Sequence, residues 1–290
     1  MPILTVSRLA NKVFRKLPLG LVLTLPFVVQ TIGAVTLVGY LSYRSGQKSV
    51  ANVSQQLMHE VGNRTTLYLE KTLAVPHLIN QLNADAIRLG TIPGFETKNP
   101  ATLEKYFLQQ ILRFPGVNTI AIANERGGMI GSGQTNPSLS IYHTPDFAKG
   151  TYSFFEVDTQ GKVTRTRVIS QNYDARIRPW YQTPKQAGKA TWSPIYPFVS
   201  YRTQLGISAG LPVYAPSGKL QGVLATDITL DQFNQFLSDL HISKSGQIFI
   251  IERSGLVVAS STNQPLFTPQ AGKTERIKAL ESKNSIIRET

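Results

Sequence analysis

Residues 17–43 read LPLGLVLTLPFVVQTIGAVTLVGYLSY, 27 positions without a charged side chain and with Gln30 the most polar. No other feature restricts the fold as strongly. A helix needs about 20 apolar residues to cross a bilayer, where every backbone amide must be paired within the segment. A cleaved export signal has a shorter apolar region, about 7–15 residues, followed by a small-x-small site. The flank here, GYLSYRSG, is a poor site of that kind. The run therefore reads as an uncleaved transmembrane helix, with Pro18 and Pro26 as places for a kink. Arg8, Lys12, Arg15 and Lys16 precede it, against Arg44 and Lys48 after it. That bias keeps residues 1–16 in the cytoplasm and puts the chain beyond residue 44 on the outer side of the cell inner membrane.

The remainder is large enough for two domains. Among 290 residues, 30 Lys and Arg against 17 Asp and Glu give a net charge of +13. The excess is scattered, and no helix carries a basic stripe with interleaved aromatics, so no nucleic-acid partner is expected. The absence of cysteine excludes disulfides, thiol catalysis and Cys-based zinc sites. His59, His77, His143 and His241 stand far apart and form no HExxH spacing, and neither GxSxG nor a phosphate-binding loop occurs. The glycines of ERGGMIGSGQ read as turn formers. The chain is not expected to be an enzyme, or to hold a cofactor or metal.

Apolar or small residues recur after the anchor at Leu57, Val61, Tyr68, Thr72, Val75, Ile79, Leu82 and Ala86. With Arg64 as a polar interruption, these spacings of three and four predict a long amphipathic stalk helix within 44–92. Forty helical residues span about 60 Å. Such a stalk offers a face for a second copy, so a homodimer through it is expected. Pro76 is expected to kink it, and TIPGF at 91–95 to end it.

Two later segments resemble each other. IAIANERGGMIGSG (120–133) and IFIIERSGLVVASS (248–261) both alternate apolar residues into a Glu-Arg-small-Gly turn and a returning strand. The turns are expected at Glu125, Arg126 and Gly128, and at Glu252, Arg253 and Gly255. Between them lie β-rich arms around DTQGK and APSGK, then TLDQFNQFLSDL (229–240), a helix by its spacing with Thr229 as its cap. The pattern is α+β, with one lobe over 93–236 and a second, partial lobe over 237–290. The second ends in TPQAGKTERIKALESKNSIIRET, read as a loop and a helix, and lacks the further strands of the first. The chain is expected to be a truncated gene product or a fragment.

The first lobe contains YDARIRPWY (173–181) and TWSPIYPF (191–198). On an extended strand Arg178 and Trp180 would share a face, and a guanidinium beside an indole receives a carboxylate well. Asp227 lies in the apolar strand GVLATDITL, where a lone carboxylate is costly unless it has a partner. An α-amino acid carries an anion and a cation about 3 Å apart and asks for this pair of groups, with tyrosine rings to exclude water. The residues alone equally allow Arg178 to pair with Asp227 or Asp174 and the aromatics to be core. Arg176 is a candidate reader of a second acid group.

Taken together, RPWY, WSPIY and GVLATDITL, in this order after an anchor and stalk, resemble the double Cache sensor domains of bacterial chemoreceptors, histidine kinases and cyclases. The resemblance covers about residues 20–290. It implies PAS-like antiparallel-sheet lobes and an extracytoplasmic small-molecule sensor whose output module lies beyond this chain. A subset of that family binds amino acids through a spaced motif, matched here by Tyr173, Arg178, Trp180, Tyr181, Tyr196 and Asp227. The resemblance implies that Arg178 and Trp180, with Tyr173 nearby, hold the ligand carboxylate, and that Tyr181, Tyr196 and Asp227 face its ammonium. An anchored binding protein without signalling output is the alternative, and an anchored hydrolase a more distant one.

Overall fold

The computed structural model describes residues 18–135, 138–200, 204–240, 242, 246–262, 265–270 and 273–289. The expected cytoplasmic residues 1–16 and His241 lie outside them. Helix α1, Leu19–Arg88, combines the anchor and stalk that the sequence separates at residue 44. The polar stretch Arg44–Lys48 ends the apolar run but not the helix, which continues through Gly46 as it does through Pro26 and Pro76. Anchor and stalk are thus parts of one helical element of 70 residues. Its apolar part has a mean hydropathy of 2.1 and no buried residues. The Thr24 and Thr31 hydroxyls donate to the carbonyls of Gly20 and Phe27 at 2.9 and 2.7 Å. Both polar groups are thus satisfied inside the helix itself.

Residues 1–62 and 63–290 form two compact units. The second unit is built on a nine-stranded antiparallel sheet. Its strands are β1 Thr119–Asn124, β2 Met129–Thr135, β3 Ser138–His143, β4 Gly150–Val157, β5 Val163–Tyr173, β6 Thr191–Trp192, β7 Tyr196–Pro197, β8 Leu205–Tyr214 and β9 Leu220–Thr229. The spatial order is β5-β4-β3-β2-β1-β9-β8-β6, and β7 also pairs with β8. The expected hairpins at DTQGK and APSGK are β4–β5 and β8–β9. In the first duplicated hairpin the turn is held by Asn124, whose side-chain oxygen accepts from the amides of Arg126 and Gly128 at 3.0 and 3.3 Å. The left-handed residue there is Gly127, at φ 83°, one position before the expected glycine.

Side chains alternate across strands, so each strand serves both faces. Ile120, Ile122, Ile130 and Leu224 pack against Ile79 of α1 and Leu103, Phe107 and Ile111 of α2, Pro100–Arg113. Ala121, Ala123, Val223 and Ala225 face the other way, into a second core of aromatics that includes Tyr142, Phe154 and Tyr181. A third core joins Phe233 and Leu237 of α4, Asp231–Asp239, to the second duplicated hairpin, β10 Phe249–Ile251 and β11 Val257–Ser260.

Two expectations near the end of the chain are corrected. Thr229 is the last residue of β9, and Leu230 rather than Thr229 occupies the cap of α4. The segments flanking Ala271 and Gly272, which lie outside the described residues, are strands where a loop is expected: β12 Phe267–Gln270 pairs with β13 Lys273–Arg276. A short helix, α5, follows at Ser285–Glu289.

Candidate functional site

The sheet face opposite α1 and α2 holds a cavity of about 50 Å³. Strand parity makes room for it. Thr119 and Ala121 on β1 and Ala225 and Asp227 on β9 all point into it. The two alanines leave a gap where larger residues would fill the space. Asp227 sits opposite Thr119 on one side and Ser208 of β8 on the other.

Five of the six candidate residues line this cavity: Tyr173, Arg178, Trp180, Tyr196 and Asp227. They arrive by different routes. Tyr173 closes β5, and a single 3₁₀ turn, Ala175–Ile177, follows it. Arg178 then caps α3, Pro179–Ala187, with Pro179 in the first helical position, where a missing amide hydrogen costs nothing. Only Arg178 is extended, at φ −85° and ψ 145°, and Trp180 is already helical. The pair reaches one cavity across a helix start, not along the strand that the spacing suggests. Tyr196 comes from β7 at the sheet edge.

Tyr181 is not among the lining residues. Consecutive residues on a helix diverge by about 100°, and the Tyr181 hydroxyl donates to Glu125 Oε1 at 2.5 Å while Lys185 Nζ lies 2.9 Å from the same oxygen. Burial and the Glu125 carboxylate both push the Tyr181 hydroxyl far above its usual pKa. Arg176 is also occupied elsewhere. It forks onto Asp174, with Nε and Nη2 at 2.9 and 2.7 Å from the two carboxylate oxygens, and Nη1 donates to the Glu125 carbonyl at 3.1 Å. Its expected alternative role, reading a second acid group, has no support in this geometry.

Asp227 dominates the electrostatics. Burial raises its pKa from 3.8 to about 7, opposed by a hydrogen bond from Ser208 and by the charge of Arg178. Its Oδ1 is buried with no hydrogen-bond partner. The Ser208 hydroxyl lies 2.8 Å from the Tyr196 hydroxyl, and the Ser208 amide donates to Ser193 Oγ at 3.0 Å. Opposite in charge, the half-buried Arg178 donates one bond, from Nη2 to the Pro197 carbonyl at 3.3 Å, and its guanidinium lies 5.7 Å from the centre of the Tyr196 ring. The Tyr173 hydroxyl contacts Met129 Sδ at 3.4 Å and is bonded by Trp180. Burial pushes that hydroxyl, too, well above its usual pKa.

Ser208, Thr119, Tyr142 and Tyr152, none of them in the motif, also belong to this cavity or to the bonds that shape it. One signal was available. Ser208 and Thr119 are polar residues at inward positions of otherwise apolar strands. Among the described residues no cluster of metal-ligating side chains occurs.

An antiparallel sheet covered by α1 and α2 on one face, with a small polar cavity beside α3 on the other, defines a mixed α+β domain with a candidate ligand site. The chain belongs to the Cache domain family, whose model matches residues 45–286. It is similar to the methyl-accepting chemotaxis protein McpA of Pseudomonas putida, at 25% identity over 136 residues, which is 46% of this chain and 20% of that receptor. The chain thus spans about one fifth of the curated relative it matches. In fold it is similar to the ligand-binding domain of the amino acid chemoreceptor PctC of Pseudomonas aeruginosa PAO1 in complex with GABA, at 16% identity and a TM-score of 0.45, over 69% of this chain and 73% of that one. The corresponding domain of PctB with L-Arg gives 18% identity and a TM-score of 0.44, over 69% and 62% of the two chains.

Proposed function

We propose that this chain is the anchored, extracytoplasmic sensor part of a receptor and that its cavity binds a small amine–carboxylate. Residues 17–43 serve as the anchor, 44–92 as the stalk, 93–236 as the ligand-binding lobe and 237–290 as part of a membrane-proximal lobe. The carrying observation is the unpartnered, buried Oδ1 of Asp227 in the same cavity as the Arg178 guanidinium. A ligand ammonium satisfies the first group and a ligand carboxylate the second. Charge-assisted bonds contribute about 1.5–3 kcal/mol each, and three or four of them, less the ordering cost, reach the roughly 8 kcal/mol of micromolar binding.

The cavity also favours a short ligand with a neutral side chain. One water needs about 10–15 Å³, so about 50 Å³ accommodates only a few groups of that size. Among the described lining residues, Arg178 and Asp227 carry the only charges. Val50, Val53 and Leu57 are exposed on α1 with a three-four spacing that suits pairing with a second copy. Ligand binding then shifts α1, and through it the membrane segment, towards an output module elsewhere in the receptor.

A thermal-shift series on the full chain in detergent tests the reading. Glycine, L-alanine and L-serine are expected to stabilise the protein, L-glutamate and L-arginine to do so far less. Arg178→Ala and Asp227→Ala each abolish the shift. A folded protein that no amine–carboxylate stabilises refutes the proposal.

A further inference from the structure

We propose that Asn80 is the residue through which helix α1 senses the state of the cavity, a coupling that rests on the ligand-binding reading above. Asn80 is fully buried on α1. Its Nδ2 donates to the Ala209 carbonyl at 2.8 Å, and its Oδ1 accepts from the Thr226 hydroxyl at 2.7 Å. Ala209 and Thr226 are register partners on β8 and β9. The next pair along is Ser208 and Asp227, whose side chains meet on the opposite face of the sheet, at the cavity.

Two adjacent rungs of one strand pair are therefore bonded on opposite faces, one to the candidate ligand site and one to the helix. Asp227 and Thr226 are covalent neighbours, as are Ser208 and Ala209. A shear or tilt of β8 against β9 at the cavity moves the Thr226 hydroxyl and the Ala209 carbonyl in the same step. Asn80 has both ends of its amide engaged and buried, so losing either partner leaves a polar group unsatisfied. The helix is held to the strands in a fixed register. An apolar contact at this position would tolerate axial slip, whereas an amide bonded at both ends resists it. The neighbouring buried amide, Asn83, bonds instead to Gln110 of α2, at 3.1 and 2.8 Å, and ties helix to helix. Asn80 is thus a positioning residue for signal transmission and does not touch the ligand.

Hydrogen exchange of backbone amides 77–84 in the full chain, held in lipid nanodiscs, reads the coupling. The cavity end is perturbed in two independent ways, by millimolar L-alanine and by Asp227→Asn. In the otherwise native chain each perturbation is expected to change exchange over this segment by about fivefold. Thr226→Val keeps the side-chain shape and removes only the hydroxyl, so it tests the link even if Asn80→Ala fails to fold. It is expected to abolish both responses, and Thr226→Ser to restore them. A Thr226→Val chain that responds like the parent overturns the proposal. So does a parent chain that ignores Asp227→Asn, or one that binds L-alanine by calorimetry without any change over 77–84. If L-alanine fails to bind while the Asp227→Asn response is present and depends on Thr226, the amine–carboxylate reading falls and the role of Asn80 stands.

Discussion

Asp227 has its carboxyl raised to about 7 by burial between β1 and β8. The direction of the pH effect follows from that. In the unfolded chain this carboxyl ionises near 3.8, while in the folded protein it holds its proton until about 7. The folded state binds more protons in that window, so the contribution to stability is full below the lower value and is lost as pH rises through the upper one. The difference corresponds to about 4 kcal/mol at most. Asp227→Asn is expected to match the parent near pH 4 and to be the more stable of the two at pH 8, in urea unfolding followed by circular dichroism. Parallel pH curves for the two proteins refute this account. The proposed ligand reverses the balance, because an incoming ammonium would favour the ionised carboxylate. Affinity for L-alanine is therefore expected to rise between about pH 5 and pH 8 with release of up to one proton, measurable by calorimetry in buffers of different ionisation enthalpy. A pH-independent affinity would place the ammonium away from Asp227.

Among the elements, α2 shows what local signals specify. Asn99 accepts from the Ala101 amide at 3.1 Å and Pro100 begins the helix. Leu103, Phe107, Leu108 and Ile111 then fall on its buried side. Asn99→Ala is expected to cost about 1 kcal/mol in urea unfolding, with no effect on ligand-induced shifts. A loss of binding in that variant would mean that α2 does more than cover the sheet. The cap, the proline and the period are all legible in NPATLEKYFLQQILR. The hairpins and the α+β class were legible because alternating apolar residues meet turn-forming residues at fixed offsets. β12 and β13 were not, since TPQ and KTER carry no alternation of apolar residues. Arg178, Trp180 and Asp227 stand out by their chemistry and Tyr173 and Tyr196 through the resemblance to the amino-acid-binding motif, whereas the orientation of Tyr181 depends on a helix starting at Pro179, which an extended RPWY does not contain. Ser208 was hidden for a different reason: its importance comes from being opposite Asp227, and pairing between distant strands is not written in either one.

At the level of the whole molecule, the apolar start of α1 has to meet lipid or another protein, since its side chains are exposed from Leu23 to Tyr43. The full chain is expected to stay in the membrane fraction after alkaline carbonate washing, and a chain beginning at Arg44 to be released. Release of the full chain would remove the anchor from the proposal. The strand order has a separate consequence, for the time course of folding. β1 to β5 follow one another as neighbours, but the strand beside β1 on its other side is β9, and more than one hundred residues separate Thr119 from its partner Asp227. Closing so long a segment is slow compared with zipping adjacent hairpins. The meander β2–β4 is therefore expected to gain protection in pulsed hydrogen exchange before β9 does, and the cavity to be complete only when that strand pairs with β1. On the ribosome the cavity has no complete lining until β9 has emerged, so any compound that fits it can be recognised only by a chain that already includes residue 229.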